Sequence, residues 1–122
     1  MCMINGKRLP TNFISKGWGW ESWIVNKEEY CGKLLFFKKG KHCSWHFHKE
    51  KDEVFYLQSG KLLVRFGDGH LSKAQEVILE PGDCFDVPPG LRHQMEGLED
   101  SLLIEVSTTH KEEDSIRVVK GD

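Results

Sequence analysis

Apolar and polar residues along this chain form short alternating runs, and no stretch shows the longer period of an amphipathic helix. Glycine and proline turn signals separate the runs, as at Pro81-Gly82 and Pro88-Pro89-Gly90. This pattern predicts an all-β barrel or sandwich. Residues 109–115 are polar and predict a turn or one short helix, and residues 116–119 are expected to return as an edge strand. The predicted strands cover residues 23–25, 33–38, 44–47, 53–58, 61–66, 76–79, 84–87, 93–96 and 102–106.

Length and charge narrow the class of protein. With 122 residues, 39% of them hydrophobic and 30% charged, the chain fits a single domain over residues 1–122. Its formal net charge of −2 argues against a nucleic-acid partner, which would select a basic face. No apolar run approaches the roughly 18 residues of a membrane span, and the N-terminal residues lack the apolar core of a secretory signal. We therefore expect a cytoplasmic protein with neither a nucleic-acid nor a membrane partner.

The four cysteines, Cys2, Cys31, Cys43 and Cys84, are scattered and contain no C-x-x-C pair. This spacing supports neither a zinc ribbon nor a thioredoxin-like site, so reduced structural thiols are expected. Cys43 lies three residues before His46. On a strand, an odd offset places the two side chains on opposite faces, which makes Cys43 a poor ligand candidate.

His46, His48, Glu53 and His93 carry the main chemical signal of the chain. His46 and His48 are two residues apart, a spacing that puts both imidazoles on the same face of a strand. Glu53 follows after a charged turn, and His93 follows the rigid Pro88-Pro89-Gly90 turn. Three imidazoles and one carboxylate suit a borderline divalent ion such as Mn, Fe, Ni, Co, Cu or Zn. Four such ligands would leave one or two positions open for water or substrate.

The evidence for a metal site comes from the combined spacing and not from any one histidine. An H-x-H pair alone is common by chance. The five positions Gly40, His46, His48, Glu53 and Gly60 should occur together at this spacing by accident about once in several thousand chains of this composition. The other histidines have no such partners. We expect His70 and His110 in exposed loops, and His42 on the same strand face as His46, at the mouth of a pocket.

The two stretches around these residues resemble the signature motifs of the cupin superfamily. Residues 40–60 match G-x5-H-x-H-x3,4-E-x6-G at every fixed position. Residues 82–93 match G-x5-P-x-G-x2-H, and Gly97 stands where that motif continues to Asn. The resemblance implies a conical β-barrel, also described as a double-stranded β-helix or jelly roll. It also implies a metal inside the wide end of the barrel and, often, a homodimer.

A narrower resemblance is to the type II phosphomannose isomerase domain. It is carried by Trp18-Gly19-x-Glu21, by Leu103-Ile-Glu-Val106 and by Glu113-Asp-Ser-Ile-Arg117. This chain departs from that family in two ways. Four residues rather than three separate His48 from Glu53, and Gln94 follows the metal histidine where that family has an arginine tied to sugar-phosphate turnover.

The resemblance favours an isomerase or epimerase acting on a sugar or sugar phosphate, of the mannose-6-phosphate isomerase type. The metal would polarise the carbonyl and its neighbouring hydroxyl, and a base would move the proton. Glu53 or a water held by the metal would be that base, with Tyr56 and Gln94 as weaker candidates. Two alternatives remain open: an Fe(II)-dependent dioxygenase acting on a small chelating substrate, and a non-catalytic, metal-dependent sugar-binding module.

Strand parity also predicts what surrounds the metal. Phe55, Leu57, Phe85 and Met95 share the inward parity of the ligands in their strands and would form an apolar pocket wall for a small molecule. The isomerase resemblance implies that this small-molecule substrate is a carbohydrate. Residues 34–37 are apolar on both faces, as expected of a strand covered on each side. A homodimer interface would cover the outer side.

Overall fold

Two antiparallel sheets pack face to face in the computed structural model, which describes residues 2–9 and 11–122. One sheet has six strands in the order β10-β7-β12-β5-β4-β3, and the other has five in the order β13-β6-β11-β8-β9. β1 and β2 form a separate hairpin. The strands are β1 (Cys2–Ile4), β2 (Lys7–Leu9), β3 (Asn12–Lys16), β4 (Gly19–Asn26), β5 (Cys31–Phe37), β6 (Trp45–His48), β7 (Glu53–Ser59), β8 (Leu62–Gly67), β9 (Gln75–Leu79), β10 (Cys84–Val87), β11 (Arg92–Gly97), β12 (Ser101–Ser107) and β13 (Ser115–Val119).

This architecture confirms the all-β jelly-roll expectation. Each of the nine strands predicted from apolar alternation is present, and the expected edge strand is β13, which pairs with β6. The polar segment before it contains a short 3-10 helix at Glu112–Asp114, and a second one lies at Leu71–Lys73. Within residues 2–9 and 11–122, no helix is long and apolar enough to cross a membrane.

Alternation along the central strands decides which side chains are buried between the sheets. In β5 every second residue is buried, namely Cys31, Lys33, Leu35 and Phe37, whereas the residues between them are half-buried. In β7 the inner residues Glu53, Phe55 and Leu57 are at most 2% exposed, and the outer residues Val54 and Tyr56 are 39% and 37% exposed. The inner faces therefore supply an apolar core and also, unusually, several charged groups.

A tight turn joins β7 to β8 at Gly60, the last glycine of the first motif. Its φ of +94° lies in the left-handed region that side chains other than glycine seldom adopt. A Cβ built there would lie 2.3 Å from the carbonyl oxygen of Asp100 and 2.4 Å from the Ser101 hydroxyl. This turn therefore needs glycine for both its conformation and its space.

Candidate metal centre

Three histidines converge at one end of the space between the sheets. His46 and His48 point inward from β6, and His93 on β11 pairs in register with His46. One ligand atom from each of these three imidazoles lies within 4.8 Å of the other two. The i, i+2 spacing on one strand and the direct cross-strand pairing thus account for the cluster.

Backbone carbonyls set the orientation of two of these rings. Nδ1 of His46 donates to the Ser44 carbonyl at 2.9 Å, and Nδ1 of His93 donates to the Leu91 carbonyl at 3.0 Å. Since a carbonyl can only accept, Nδ1 carries the proton in both rings and Nε2 keeps its lone pair. This is the tautomer of a histidine that ligates a metal through Nε2.

The environment keeps all three imidazoles neutral. Burial and, to a smaller extent, the neighbouring histidines lower the pKa of His46 and of His48 to about 3. Burial also lowers the pKa of His93 to about 4, against the opposing effect of its bond to the Leu91 carbonyl. At neutral pH the cluster therefore offers uncharged nitrogen donors, which a divalent cation requires.

Glu53 lies beside two of the three histidines. Its Oε2 is 3.7 Å from Nε2 of His48 and 3.5 Å from Nε2 of His93. Burial raises the pKa of Glu53 to about 7, with a further upward contribution from the Glu105 carboxylate and an opposing one from Lys51.

Three buried polar atoms of this cluster lack a hydrogen-bond partner among the described residues: Oε2 of Glu53, Nε2 of His93 and Nδ1 of His48. Buried polar atoms are rarely left unpaired, because each one costs about 1–3 kcal/mol. A cation bound between Oε2 of Glu53 and Nε2 of His93 would satisfy two of the three atoms. The donor set therefore fits a divalent metal.

A buried ion pair network holds the other side of Glu53. Nζ of Lys51, a residue only 2% exposed, lies 3.0 Å from Oε1 of Glu53 and 2.6 Å from Oε2 of Glu105. The Ser107 hydroxyl donates to the same Glu105 oxygen at 2.9 Å. Although burial lowers the pKa of Lys51, the two carboxylates outweigh it and the net shift is upward, so this amine stays charged.

His110 belongs to this network, which corrects its expected position in an exposed loop. Its Nδ1 is 3.0 Å from Nζ of Lys51, and its ring lies edge-on to His48 with centroids 6.2 Å apart. The β12–β13 connection folds over the end of the cavity, an approach that periodicity cannot predict. His70, by contrast, is exposed, as expected.

A second charged group forms part of the wall built by β4 and β5. Nζ of Lys33 lies 4.1 Å above the centroid of the Trp23 ring and 3.9 Å from Oε1 of Glu21. The same Glu21 oxygen accepts a hydrogen bond from Nε1 of Trp23 at 2.8 Å. Register explains this arrangement, because Trp23 and Lys33 are direct cross-strand partners.

Most of these groups line a cavity of about 360 Å³, a size that suits a small ligand, whereas His93 and Trp23 lie outside its lining. Of the four residues expected in its apolar wall, Phe55 and Met95 line it. Leu57 lies in the core instead, and Phe85 packs against Phe66 with ring centroids 5.2 Å apart. The remaining apolar lining comes from Trp18, Leu35, Phe37 and Cys43.

Gln94 and Tyr56 do not face this cavity, so the structure does not bring these two predicted residues together with the metal cluster. Gln94 follows the inward His93 and points to the other side of the sheet, where its Oε1 accepts from Arg65 at 3.0 Å and its Nε2 donates to the Cys43 carbonyl at 3.1 Å. Tyr56 lies on the outer face of β7 between inward neighbours. Adjacent residues of a strand point to opposite faces, so alternation places Gln94 on the face opposite to that of His93.

Cys43 and His42 exchange their expected positions. Cys43 lines the cavity and is 6% exposed, whereas His42 lies beside Asp122, with Nε2 3.7 Å from a carboxylate oxygen. The reason is that β6 begins only at Trp45, so strand parity does not extend back to these residues. Burial raises the pKa of the Cys43 thiol to about 12, which keeps it protonated and a poor ligand. Cys31, Cys43 and Cys84 are free thiols, and the side chain of Cys2 lies outside the described residues.

Residues 33–107 match the sequence profile of a protein family described as the Cupin domain. The chain belongs to the cupin family. The match spans β5 to β12, so it includes the three histidines, Glu53 and the Lys51–Glu105 pair of this cupin.

Individual relatives are distant. The chain is 25% identical to the D-lyxose ketol-isomerase of Cohnella laeviribosi, in an alignment that covers 73% of this chain and 61% of that protein. Among solved structures, KdgF from Halomonas sp. has a TM-score of 0.66 at 23% identity over 77% of this chain and 81% of its own. CapF from Staphylococcus aureus reaches a TM-score of 0.79 at 20% identity over 92% of this chain and 35% of its own. The two solved structures support the fold, and the chain spans about three fifths of the length of the curated relatives it matches (61% and 57%).

Proposed function

We propose that this cupin is a metal-dependent isomerase that interconverts the aldose and ketose forms of a small sugar. The observation that carries the proposal is the cluster of His46, His48, His93 and Glu53, with its neutral imidazole nitrogens and unpaired carboxylate oxygen. His46, His48 and Glu53 line the cavity, and His93 is buried beside them. The similarity to a D-lyxose ketol-isomerase supports the same reaction class.

His46, His48, Glu53 and His93 would hold the ion. Imidazole and carboxylate donors suit Mn, Fe, Ni, Co, Cu or Zn. When bound, the ion supplies Lewis-acid polarisation of the substrate's carbonyl and adjacent hydroxyl oxygens. The lack of hydrogen-bond donors at Oε2 of Glu53 supports this assignment, because a carboxylate oxygen buried for purely structural reasons would normally accept a bond.

The reaction needs no external oxidant or reductant. A C2–H bond breaks and a C1–H bond forms, and the hydroxyl proton moves from the oxygen on C2 to the oxygen on C1, so C2 is oxidised as C1 is reduced. We propose Glu53 as the group that carries the carbon-bound proton: Oε2 would hold the ion, and Oε1 would take the proton. Lys51 would orient the carboxylate, since its Nζ lies 3.0 Å from Oε1.

The cavity offers cations for a phosphorylated sugar, even though Gln94 stands where the isomerase family has arginine. Arg117 is the cross-strand partner of His46 and lines the cavity. The other cationic side chains that line it are Lys16, Lys33, Lys51 and Lys120. This supports testing mannose 6-phosphate alongside free sugars. Acidic lining residues balance these charges, so neutral sugars are equally compatible: Glu21, Glu53, Glu105, Glu112 and Asp122.

A turnover screen tests the proposal. Metal-loaded protein is incubated with D-lyxose, D-mannose and mannose 6-phosphate, and the ketose product is measured while dissolved oxygen is monitored. We expect ketose formation without oxygen uptake. Oxygen consumption with a cleaved product would indicate a dioxygenase, and saturable binding without turnover would indicate a sugar-binding module.

We also propose a homodimer formed through the outer face of the six-stranded sheet. Phe13 is 59% and Val106 62% exposed there. Trp20 stacks on Phe36 on the same face with ring centroids 5.5 Å apart. A broad apolar face of this kind is rare on a monomer. Light scattering should give twice the monomer mass, and Phe36→Glu should give the monomer mass; a monomeric wild-type protein would refute the proposal.

A further inference from the structure

Lys33 is a buried cation that has no role in the proposed metal site. It lies on the inner face of β5, is 2% exposed, and lines the same cavity as His46 and His48. Fully buried lysines are rare unless they are paired, because removing an ammonium from water is unfavourable. Its position therefore needs an explanation.

The described residues satisfy Lys33 only in part. Its Nζ makes no hydrogen bond to any of them; its nearest carboxylate oxygen, Oε1 of Glu21, is 3.9 Å away and already accepts from Trp23. Glu105 is the cross-strand partner of Lys33, but its Oε2 is bound to Lys51. The Trp23 ring, 4.1 Å from Nζ, holds the ammonium in place without accepting a directed bond.

Glu21 adds the complementary half of a recognition site. It lines the cavity, and its second oxygen, Oε2, makes no hydrogen bond with the described residues. A sugar hydroxyl both donates and accepts hydrogen bonds, so one ligand could accept from Lys33 and donate to Glu21. An aliphatic or aromatic ligand would leave both groups unpaired inside the cavity.

We propose that Lys33 and Glu21 bind the oxygens of a small polyhydroxylated ligand, and that Lys33 contacts the oxygen that becomes negatively charged as the C2–H proton leaves. The second part rests on the proposed isomerase function. In that step the ammonium keeps its own proton and stabilises the oxyanion by charge and hydrogen bonding, while the carbon-bound proton moves from C2 to C1. Lys33 is thus a substrate-contacting residue distinct from the metal ligands.

The test uses D-threonohydroxamate, a chelating mimic of the enediolate of a pentose, titrated calorimetrically into Mn²⁺-loaded protein. Lys33→Met keeps the length and apolar stem of the side chain, and Lys38→Met removes an exposed lysine just beyond the end of the same strand. We expect Lys33→Met to weaken binding at least tenfold and Glu21→Gln to weaken it severalfold. Lys38→Met should bind within twofold of wild type, and metal content should be equal in all four proteins.

The outcomes separate this inference from the proposed function. Unchanged affinity in Lys33→Met, or no binding to the wild-type protein, would overturn the inference. Binding that depends on Lys33, in a protein that turns over no sugar, would keep the recognition site and refute the isomerase. If Lys33→Met loses metal, Glu21→Gln decides: wild-type affinity in that variant would overturn the proposed pair.

Discussion

The buried amine of Lys51 gives the sharpest stability prediction, because two carboxylates depend on it. Its Nζ lies 2.6 Å from Glu105 and 3.0 Å from Glu53, and neither carboxylate has another cation within 4.0 Å among the described residues apart from the histidines, which are neutral. Removing one partner of a buried ion pair costs about 3–5 kcal/mol. Lys51→Met should therefore remove much of the roughly 5–15 kcal/mol that stabilises an ordinary domain.

Urea unfolding of chelator-treated protein, at one fixed protein concentration, measures this loss. With a slope of about 2 kcal/mol per molar urea, a loss of about 4 kcal/mol lowers the midpoint by about 2 M. Lys49→Met, which removes an exposed lysine of the same turn, should change the free energy of unfolding by less than about 0.5 kcal/mol. Adding Glu105→Met to Lys51→Met should restore part of the loss, because one uncompensated carboxylate disappears. A loss below about 1 kcal/mol in Lys51→Met would refute the reasoning.

Three further predictions follow from the site and the fold. His93→Ala should lower both metal content and melting temperature, because bound metal stabilises the folded state. His70→Ala, which removes an exposed histidine, should change neither. A metal content in His93→Ala equal to that of the wild type would contradict the site. Burial raises the pKa of Cys43 to about 12, so little of its thiol is deprotonated at pH 8. Mass spectrometry after iodoacetamide treatment at pH 8 should find Cys43 unlabelled in native protein and labelled in urea. Gly60→Ala should lower the free energy of unfolding, measured in urea, by more than about 1 kcal/mol. The new Cβ would clash with the backbone of Asp100, and alanine is strained at a φ of +94°. Gly69→Ala should not have this effect, because nothing lies within 4 Å of a Cβ built there.

Much of the fold could be predicted from local pattern. Alternation located nine strands, and the glycine and proline turns separated them. Alternation did not predict the first three strands. The third of them, Asn12–Lys16, has a weak apolar pattern and is a strand because it pairs with β4. The spacing of His46 and His48 within one strand predicted their shared face, since both sit inside β6. Where the strand had not yet begun, as at Cys43, the same rule failed.

Only part of the charged cavity wall could be predicted from local pattern. Alternation along β5 places Lys33 on the inner face together with Cys31, Leu35 and Phe37. The meeting of Lys51 with Glu105, however, depends on register between distant strands, and no short-range pattern encodes it. Lysine is seldom fully buried, so composition alone would place Lys33 and Lys51 on the surface.

Hydrogen exchange at the sugar carbon tests the central claim most directly. D-lyxose is incubated in D₂O with metal-loaded protein, with chelator-treated protein, and with chelated protein to which metal has been restored, and the products are followed by NMR. The account predicts D-xylulose formation, accompanied by loss of the C2 proton, that disappears on chelation and returns with metal. No interconversion of any sugar in the screen, by a protein holding one metal ion per chain, would contradict it.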